Sequence, residues 1–307
     1  MQVTTIGGAT IDIIVAGARW DDVAGGKQDV ESITMGVGGG AVNASLAFQA
    51  CDAKVRIVCA LGGDAEAEWV RAVLGRESID LSLVQSVAGQ STGKAVIHLD
   101  TNADVRVFAQ RGASTLVSPS RALDAIGHSD LLYVAALSAE AEAEFDDALR
   151  RGHLRLPRLV INPSMRQLEA GASALARLLG RADLVSVNEA EVRLWASRRE
   201  LVLPKDLLAD GASWMPALRL HESQALLVTL GQQGALFHDG AEVHYIKAGH
   251  SPVRSALGAG DAFGATLACH WAAGHTAHVA LEAARAHCAR VLRVVTANLA
   301  GSRHEMQ

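Results

Sequence analysis

Leu257-Gly258-Ala259-Gly260-Asp261-Ala262-Phe263-Gly264 is the stretch on which the fold of this chain turns. Two glycines flank an alanine, an acid follows, and an apolar run continues through Ala265-Thr266-Leu267-Ala268. This is a side-chain-poor turn feeding the start of a helix. The first N–H groups of a helix lack internal acceptors and carry partial positive charge. With no bulky side chain in the way, they can approach a phosphate closely. An aspartate held at the same place can take a proton from a hydroxyl. An anion cradle beside a base is half of a phosphoryl-transfer site. The same residues also make an ordinary loop and helix start, so their reading depends on what surrounds them.

Upstream, short β-branched apolar runs alternate with longer Ala/Leu/Arg-rich stretches. Strands are expected at 3–6, 55–60, 131–134, 159–161, 184–187 and 225–229. Helices are expected at 41–51, 65–77, 119–126, 139–152, 172–179, 189–197 and 204–220, then at about 262–273 and 277–296. Alternation of this kind predicts an α/β fold with a parallel sheet covered by helices on both faces. The strands are apolar at nearly every position, as buried strands are.

Two regions break the alternation. Residues 11–37 carry Ile13-Ile14-Val15 and Ser32-Ile33-Thr34-Met35 with no helical stretch. Residues 92–110 carry two strand-like runs around Asp100-Thr101-Asn102, a hairpin signal. They predict a small antiparallel sheet standing apart as a lid, inserted in two segments (about 11–37 and 92–111) within one domain spanning 1–307. The run Gly38-Gly39-Gly40-Ala41-Val42-Asn43 permits a tight bend or close approach of a ligand, and equally a plain hinge. It is neither a Walker A loop nor a dinucleotide fingerprint, because no G-K-[ST] and no G-x-G-x-x-G is present in the right place.

The chain has 307 residues, half of them hydrophobic, and a net charge of −5. No segment is strongly basic, so nucleic acid is not an expected partner. No signal-peptide pattern and no run of about 18 apolar residues is read, so no membrane partner is expected. Cys51, Cys59, Cys269 and Cys288 show no CxxC spacing and read as small apolar residues in a reducing, cytoplasmic setting. His270, His275 and His278 beside Cys269 invite a metal reading, but a turn at Ala273-Gly274 would scatter them.

Four blocks in order give the chain a resemblance to the ribokinase-like, or PfkB, sugar and nucleoside kinases. They are Gly8-Ala9-Thr10-Ile11-Asp12, Gly38-Gly39-Gly40-Ala41-Val42-Asn43-Ala44, Ser186-Val187-Asn188-Glu189-Ala190-Glu191, and Val228-Thr229-Leu230-Gly231-Gln232-Gln233-Gly234 leading to Gly258-Ala259-Gly260-Asp261. The resemblance implies a ribokinase-like three-layer α/β/α sandwich with a central, mostly parallel sheet and a small β-sheet lid. It implies an ATP- and Mg²⁺-dependent kinase that phosphorylates a hydroxymethyl group of a sugar, sugar acid or nucleoside. Asp261 would be the base, and Gly258, Ala259 and Gly260 would supply backbone N–H groups to the phosphoryl. Asn188, Glu191, Thr229, Gly231 and Gly234 would serve the nucleotide, with Glu191 ordering Mg²⁺ through water. Asp12, Gly39 and Asn43 would hold the acceptor, and Arg111, after the second lid run, could reach it as well. An exposed lid sheet would favour a homodimer.

Departures from the family are visible too. Where many members read Asp-Thr-Thr, this chain has Ser255-Ala256-Leu257, which leaves K⁺ activation open. Val295-Thr296-Ala297-Asn298 lacks the usual Arg-x-Gly-Ala, so adenine contacts are not assigned there. The stretch 268–274 is somewhat similar to pseudouridine kinases. A ribokinase-like ligand sensor without chemistry is the reading from another class, and the altered 255–257 segment is its support.

Overall fold

The computed structural model describes residues 1–17, 27–100, 105–151, 156–250 and 252–300. The chain starts with β1 (Gln2–Ile6), leaves for β2 (Thr10–Ala16) and β3 (Ser32–Gly38), and returns through α1 (Gly40–Gln49) to β4 (Lys54–Val58). A short pair, β5 (Ala60–Leu61) and β6 (Gln85–Ser86), brackets α2 (Ala65–Arg76). Next come β7 (Gly93–Leu99), β8 (Val105–Gln110) and α3 (Leu123–Gly127). Then strand and helix alternate through β9 (Leu131–Val134), α4 (Ala139–Arg151), β10 (Arg158–Ile161), α5 (Met165–Ala170), α6 (Ser173–Leu179) and β11 (Leu184–Asn188). After α7 (Glu189–Ser197) and α8 (Gly211–Leu218) come β12 (Ala225–Thr229), β13 (Ala235–His238) and β14 (Val243–Ile246). The last helices are α9 (Ala259–Ala272) and α10 (Ala277–Val291).

The main sheet has the order β14-β13-β12-β11-β10-β9-β1-β4. Its six expected strands are all parallel, and β13 and β14 extend it antiparallel at one edge. Successive side chains leave a strand on opposite faces. In β9, Leu131 and Tyr133 therefore pack with α1, α2, α9 and α10, while Leu132 and Val134 pack with the helices between α3 and α8. Each such side chain buried contributes about 1.5–3 kcal/mol. Strands apolar at every position need helices on both sides, and the result is the three-layer sandwich.

The second sheet, in the order β3-β2-β7-β8, comes from the two segments that interrupt the alternation. The expectation of an antiparallel sheet is corrected here. β2 and β3 are antiparallel, as are β7 and β8, but β2 and β7 run parallel. The two hairpins leave the body in the same direction, so their inner strands meet side by side. The hairpin tip at Thr101-Asn102 lies outside the described residues, as do residues 18–26 of the first segment. One face of this sheet carries Ile14, Ala95, Ile97 and Leu99, which pack near Leu257 and Val295. The small sheet thus rests against the Gly258 turn.

Other differences have local causes. The expected helix at 204–220 is helical only as α8. Asp206 accepts the Leu208 N–H, and Asp210 accepts the Ser213 hydroxyl, so short polar side chains take the turn ahead of the helix. The last helix stops at Val291 rather than 296, and the Arg254 N–H donates to the Leu292 carbonyl at its end. The 119–126 stretch begins as a 3₁₀ turn, Pro119–Ala122.

Candidate active site

The turn before α9 leaves three of its N–H groups without a backbone acceptor among the described residues. Gly258 caps the helix in a left-handed conformation, φ 67°, and a Cβ there would overlap the Ala297 carbonyl. The buried Ser255 hydroxyl accepts the Leu257 N–H at 3.1 Å, fixing the approach to the turn. The Ala259 N–H is taken by the Ala256 carbonyl at 3.3 Å. Those of Gly258, Gly260 and Asp261 have no backbone acceptor among the described residues. A Cβ on Gly260 would meet nothing within 4 Å. The space over the helix start is therefore open, and fold packing does not explain a glycine there. Behind it, Ala262, Phe263, Ala265 and Leu267 are buried and hold α9 in place.

Asp261, Asn43 and Asp12 come together from three distant parts of the chain. Asn43 lies in the first turns of α1 and donates its Nδ2 to Asp261 Oδ2 at 2.9 Å. The start of α1 is seated by Gly39, φ 94°, where a Cβ would overlap the Gly8 carbonyl. Asp12 is buried on β2, accepts the Thr10 hydroxyl at 2.8 Å, and lies over the Cα of Gly38. Burial pushes the Asp261 carboxyl up to about 6, although some of its surface stays accessible; the bond from Asn43 opposes this and the charge of Asp12 adds to it. Asp12 is raised as well, by burial, against the bond from Thr10. A carboxyl titrating near 6 is ionised at neutral pH and lies closer to a working base than an exposed aspartate does.

Asn188 and Thr229 are register partners at the C-terminal ends of β11 and β12, where ligands of open α/β sheets bind. Asn188 and Glu191 form a reciprocal cap on α7. Asn188 Oδ1 accepts the Glu191 N–H at 2.9 Å, and Glu191 Oε2 accepts the Asn188 N–H at 2.8 Å. Burial raises the Glu191 carboxyl, the Asn188 N–H opposes, and the charge of Asp261 adds. Lone pairs remain on Glu191 beyond the cap. A single carboxylate that can reach a metal-bound water fits a hydrated Mg²⁺, which keeps most of its own waters. Among the described residues no group of three His, Cys, Asp or Glu side chains could hold a metal directly. Gly231, φ 56°, borders open space, whereas Gly234, φ 106°, sits where a Cβ would overlap the Ile246 carbonyl.

Arg111 follows β8 beside Gly93, next to the Asp12 row of the small sheet. It is exposed at the end of β8 and shares no hydrogen bond with Asp12, Asn43 or Asp261. The histidines are less scattered than expected: the rings of His270 and His275 lie 5.3 Å apart across the α9 terminus. One residue that sequence reasoning missed is Asn298, whose Nδ2 donates to Asn43 Oδ1 and to the Val37 carbonyl, both at 2.8 Å. It follows a β-branched run that reads as helix end, and only its polarity after Val294-Val295-Thr296 hints at a buried role.

Comparison with known proteins bears on the family and the fold. A family model described as pfkB family carbohydrate kinase matches residues 2–299. A ribokinase of Staphylococcus aureus is 26% identical over 270 residues, covering 85% of this chain and 83% of the relative. The structure of Arabidopsis thaliana ribokinase complexed with ribose and ATP superposes with a TM-score of 0.77 at 19% identity, covering 96% of this chain and 94% of that one. A Burkholderia thailandensis nucleoside kinase in complex with inosine gives a TM-score of 0.76 at 18% identity, covering 97% and 93%.

Proposed function

The chain belongs to the pfkB family of carbohydrate kinases, and from that premise we propose that it moves the terminal phosphoryl group of ATP to a hydroxymethyl oxygen of a sugar or nucleoside, with Asp261 as the base. The observation that carries this is the pairing at the α9 start. A carboxylate accepting from Asn43 stands beside N–H groups that no backbone carbonyl takes among the described residues, with an open space over Gly260.

In this reading Asp12, Gly39 and Asn43 hold acceptor hydroxyls under the small sheet. Asp261 takes the hydroxyl proton as the new O–P bond forms and the bond to the leaving ADP oxygen breaks. The N–H groups of Gly258, Gly260 and Asp261 face the oxygens of the moving phosphoryl, where fixed donors count most. Ala259 contributes its small side chain rather than its N–H, which the turn already uses. Asn188, Thr229, Gly231 and Gly234 line the nucleotide side at the strand ends. Glu191 would hold a water of Mg²⁺, which supplies charge neutralisation on the phosphates. Ser255 occupies the place where many relatives carry an aspartate, and its hydroxyl holds the turn through Leu257.

The test is an ADP-release assay with MgATP against pentoses, hexoses, sugar acids and nucleosides, pseudouridine included. It is run in K⁺ and in tetramethylammonium buffers. Turnover with one acceptor class, equal in both buffers, is expected. ATP binding with no turnover on any acceptor would favour the sensor reading instead.

A further inference from the structure

We propose that Asn298 is a positioning residue for phosphoryl transfer: by gripping the side-chain amide of Asn43, it fixes which end of that amide faces Asp261. The proposal rests on the reading of Asp261 as the base. Asn298 lies just past the last helix, far in sequence from both residues, and is buried with Asn43. Its Nδ2 donates to Asn43 Oδ1 and to the Val37 carbonyl at the end of β3, both at 2.8 Å. Its Oδ1 accepts the Ala300 N–H at 3.1 Å, and the Thr296 hydroxyl donates to its carbonyl at 2.8 Å. Donor and acceptor ends of Asn298 are thus each assigned by a backbone group of fixed polarity.

That assignment passes down the chain. Asn43 must offer its oxygen to Asn298, so its Nδ2 is what remains for Asp261. An amide is nearly symmetrical in shape, with a donor at one end and an acceptor at the other. Without Asn298, Asn43 is free to turn its oxygen toward a protonated Asp261 and accept its O–H, which would stabilise the neutral acid over the carboxylate. The titratable groups facing Asp261 are Asp12 from β2, Glu191 from α7 and Tyr133 from β9. Asp12 and Glu191 are carboxyls whose negative charge opposes ionisation of Asp261, Tyr133 is an uncharged phenol, and the Asn43 amide is the side chain that favours the ionised form. Loss of a hydrogen bond to the charged form raises a carboxyl pKa.

The experiment is a ¹³C carboxyl NMR titration of the free protein, with the Asp261 signal assigned by its absence in Asp261→Asn. In Asn298→Ala the Asp261 titration should move up by about one unit. The acidic limb of kcat/KM, measured with the acceptor found in the screen, should move with it, and activity should recover at high pH. A folded Asn298→Ala protein in which Asp261 titrates as in the wild type overturns the proposal. A merely structural role would lower the thermal midpoint and leave the titration where it was. If Asn298→Ala does not fold, Asn298→Ser keeps one donor and should show about half the shift; an unmoved signal there overturns the proposal equally. Turnover that survives in Asp261→Asn would remove the base reading, while the titration still reports separately on the grip of Asn298.

Discussion

Asp261 is asked to be two things that conflict. As the proposed base it must be ionised at neutral pH; as part of the fold it sits where burial and the charge of Asp12 disfavour ionisation. In the unfolded chain it would lose its proton near the model-peptide value of about 3.9, and in the fold near about 6. Both states are protonated below the lower value and both are ionised above the higher one. Stability is therefore lost progressively as pH rises through that window, and the loss is complete above it. Asp261→Asn removes the charge and keeps an oxygen for the Asn43 donor. It should be more stable than the wild type at pH 8 by about 1–2 kcal/mol, after discounting for residual solvent contact, and no more stable at pH 4. Thermal unfolding at the two pH values reads this directly; equal differences at both would refute it. The same substitution should lower kcat by about 10³-fold or more, since general-base removal commonly does so when the group also orients its neighbour. The kcat/KM of the wild type should fall on its acid side through about pH 6.

At the scale of the element, the α9 start separates a glycine the fold needs from one that packing leaves unexplained. Gly258 is left-handed and its Cα abuts the Ala297 carbonyl, so Gly258→Ala should cost about 2–4 kcal/mol through strain and displacement of the 295–298 segment. Gly260 is in helical conformation beside open space. Gly260→Ala should leave the thermal midpoint unchanged or raise it slightly, because alanine is the better helix former by about 0.5–1 kcal/mol. It should nonetheless lower kcat/KM at least about tenfold by placing a methyl where a phosphoryl would lie. A Gly260→Ala enzyme with full activity would mean the phosphoryl does not approach there. The same elements mark what sequence could show. The parallel strands were legible because buried strands are apolar throughout. β13 and β14 were not, because they are four residues each and carry His238 and His244, and β14, at the sheet edge, is only partly buried. The glycine turn that opens α9, with Asp261 in its first turn, was legible as a local string. Asn298 was not, because its partners Val37 and Asn43 lie more than 250 positions away and only the folded chain brings them together.

For the whole molecule, the small sheet has two faces of unlike use. One packs Ile14, Ala95, Ile97 and Leu99 toward Leu257 and Val295, closing over the site. Direct cross-strand partners share a face, so Met35, Ile13, Val96 and Phe108 form a row across the opposite face, with Ile33, Val15, His98 and Arg106 in the next row. On that face Met35 is 53% exposed, Val96 41%, Phe108 60% and Ile33 65%. An apolar row of this kind on a sheet with open edges is a surface that monomers usually avoid. The outer strand β8 is exposed along its whole length, including Val105 and Val107, so the sheet projects from the body rather than lying on it. We propose that a second copy of the chain covers this face, since a projecting sheet can meet its own twofold mate without the bodies colliding. Val96 is at the middle of the row and Met35 at one side, and a charge on both would have to be buried in such a pair. Light scattering should give twice the chain mass for the wild type and the mass of one chain for Val96→Glu with Met35→Lys, with secondary structure retained by circular dichroism. A wild type that stays at the mass of one chain at assay concentration, or a doubly charged variant that still pairs, would place the contact elsewhere or remove it. If the pair forms, acceptor KM should rise when it is broken. Asp12 sits on β2 of this sheet, so the hold on an acceptor hydroxyl proposed for it would depend on how firmly the sheet is held.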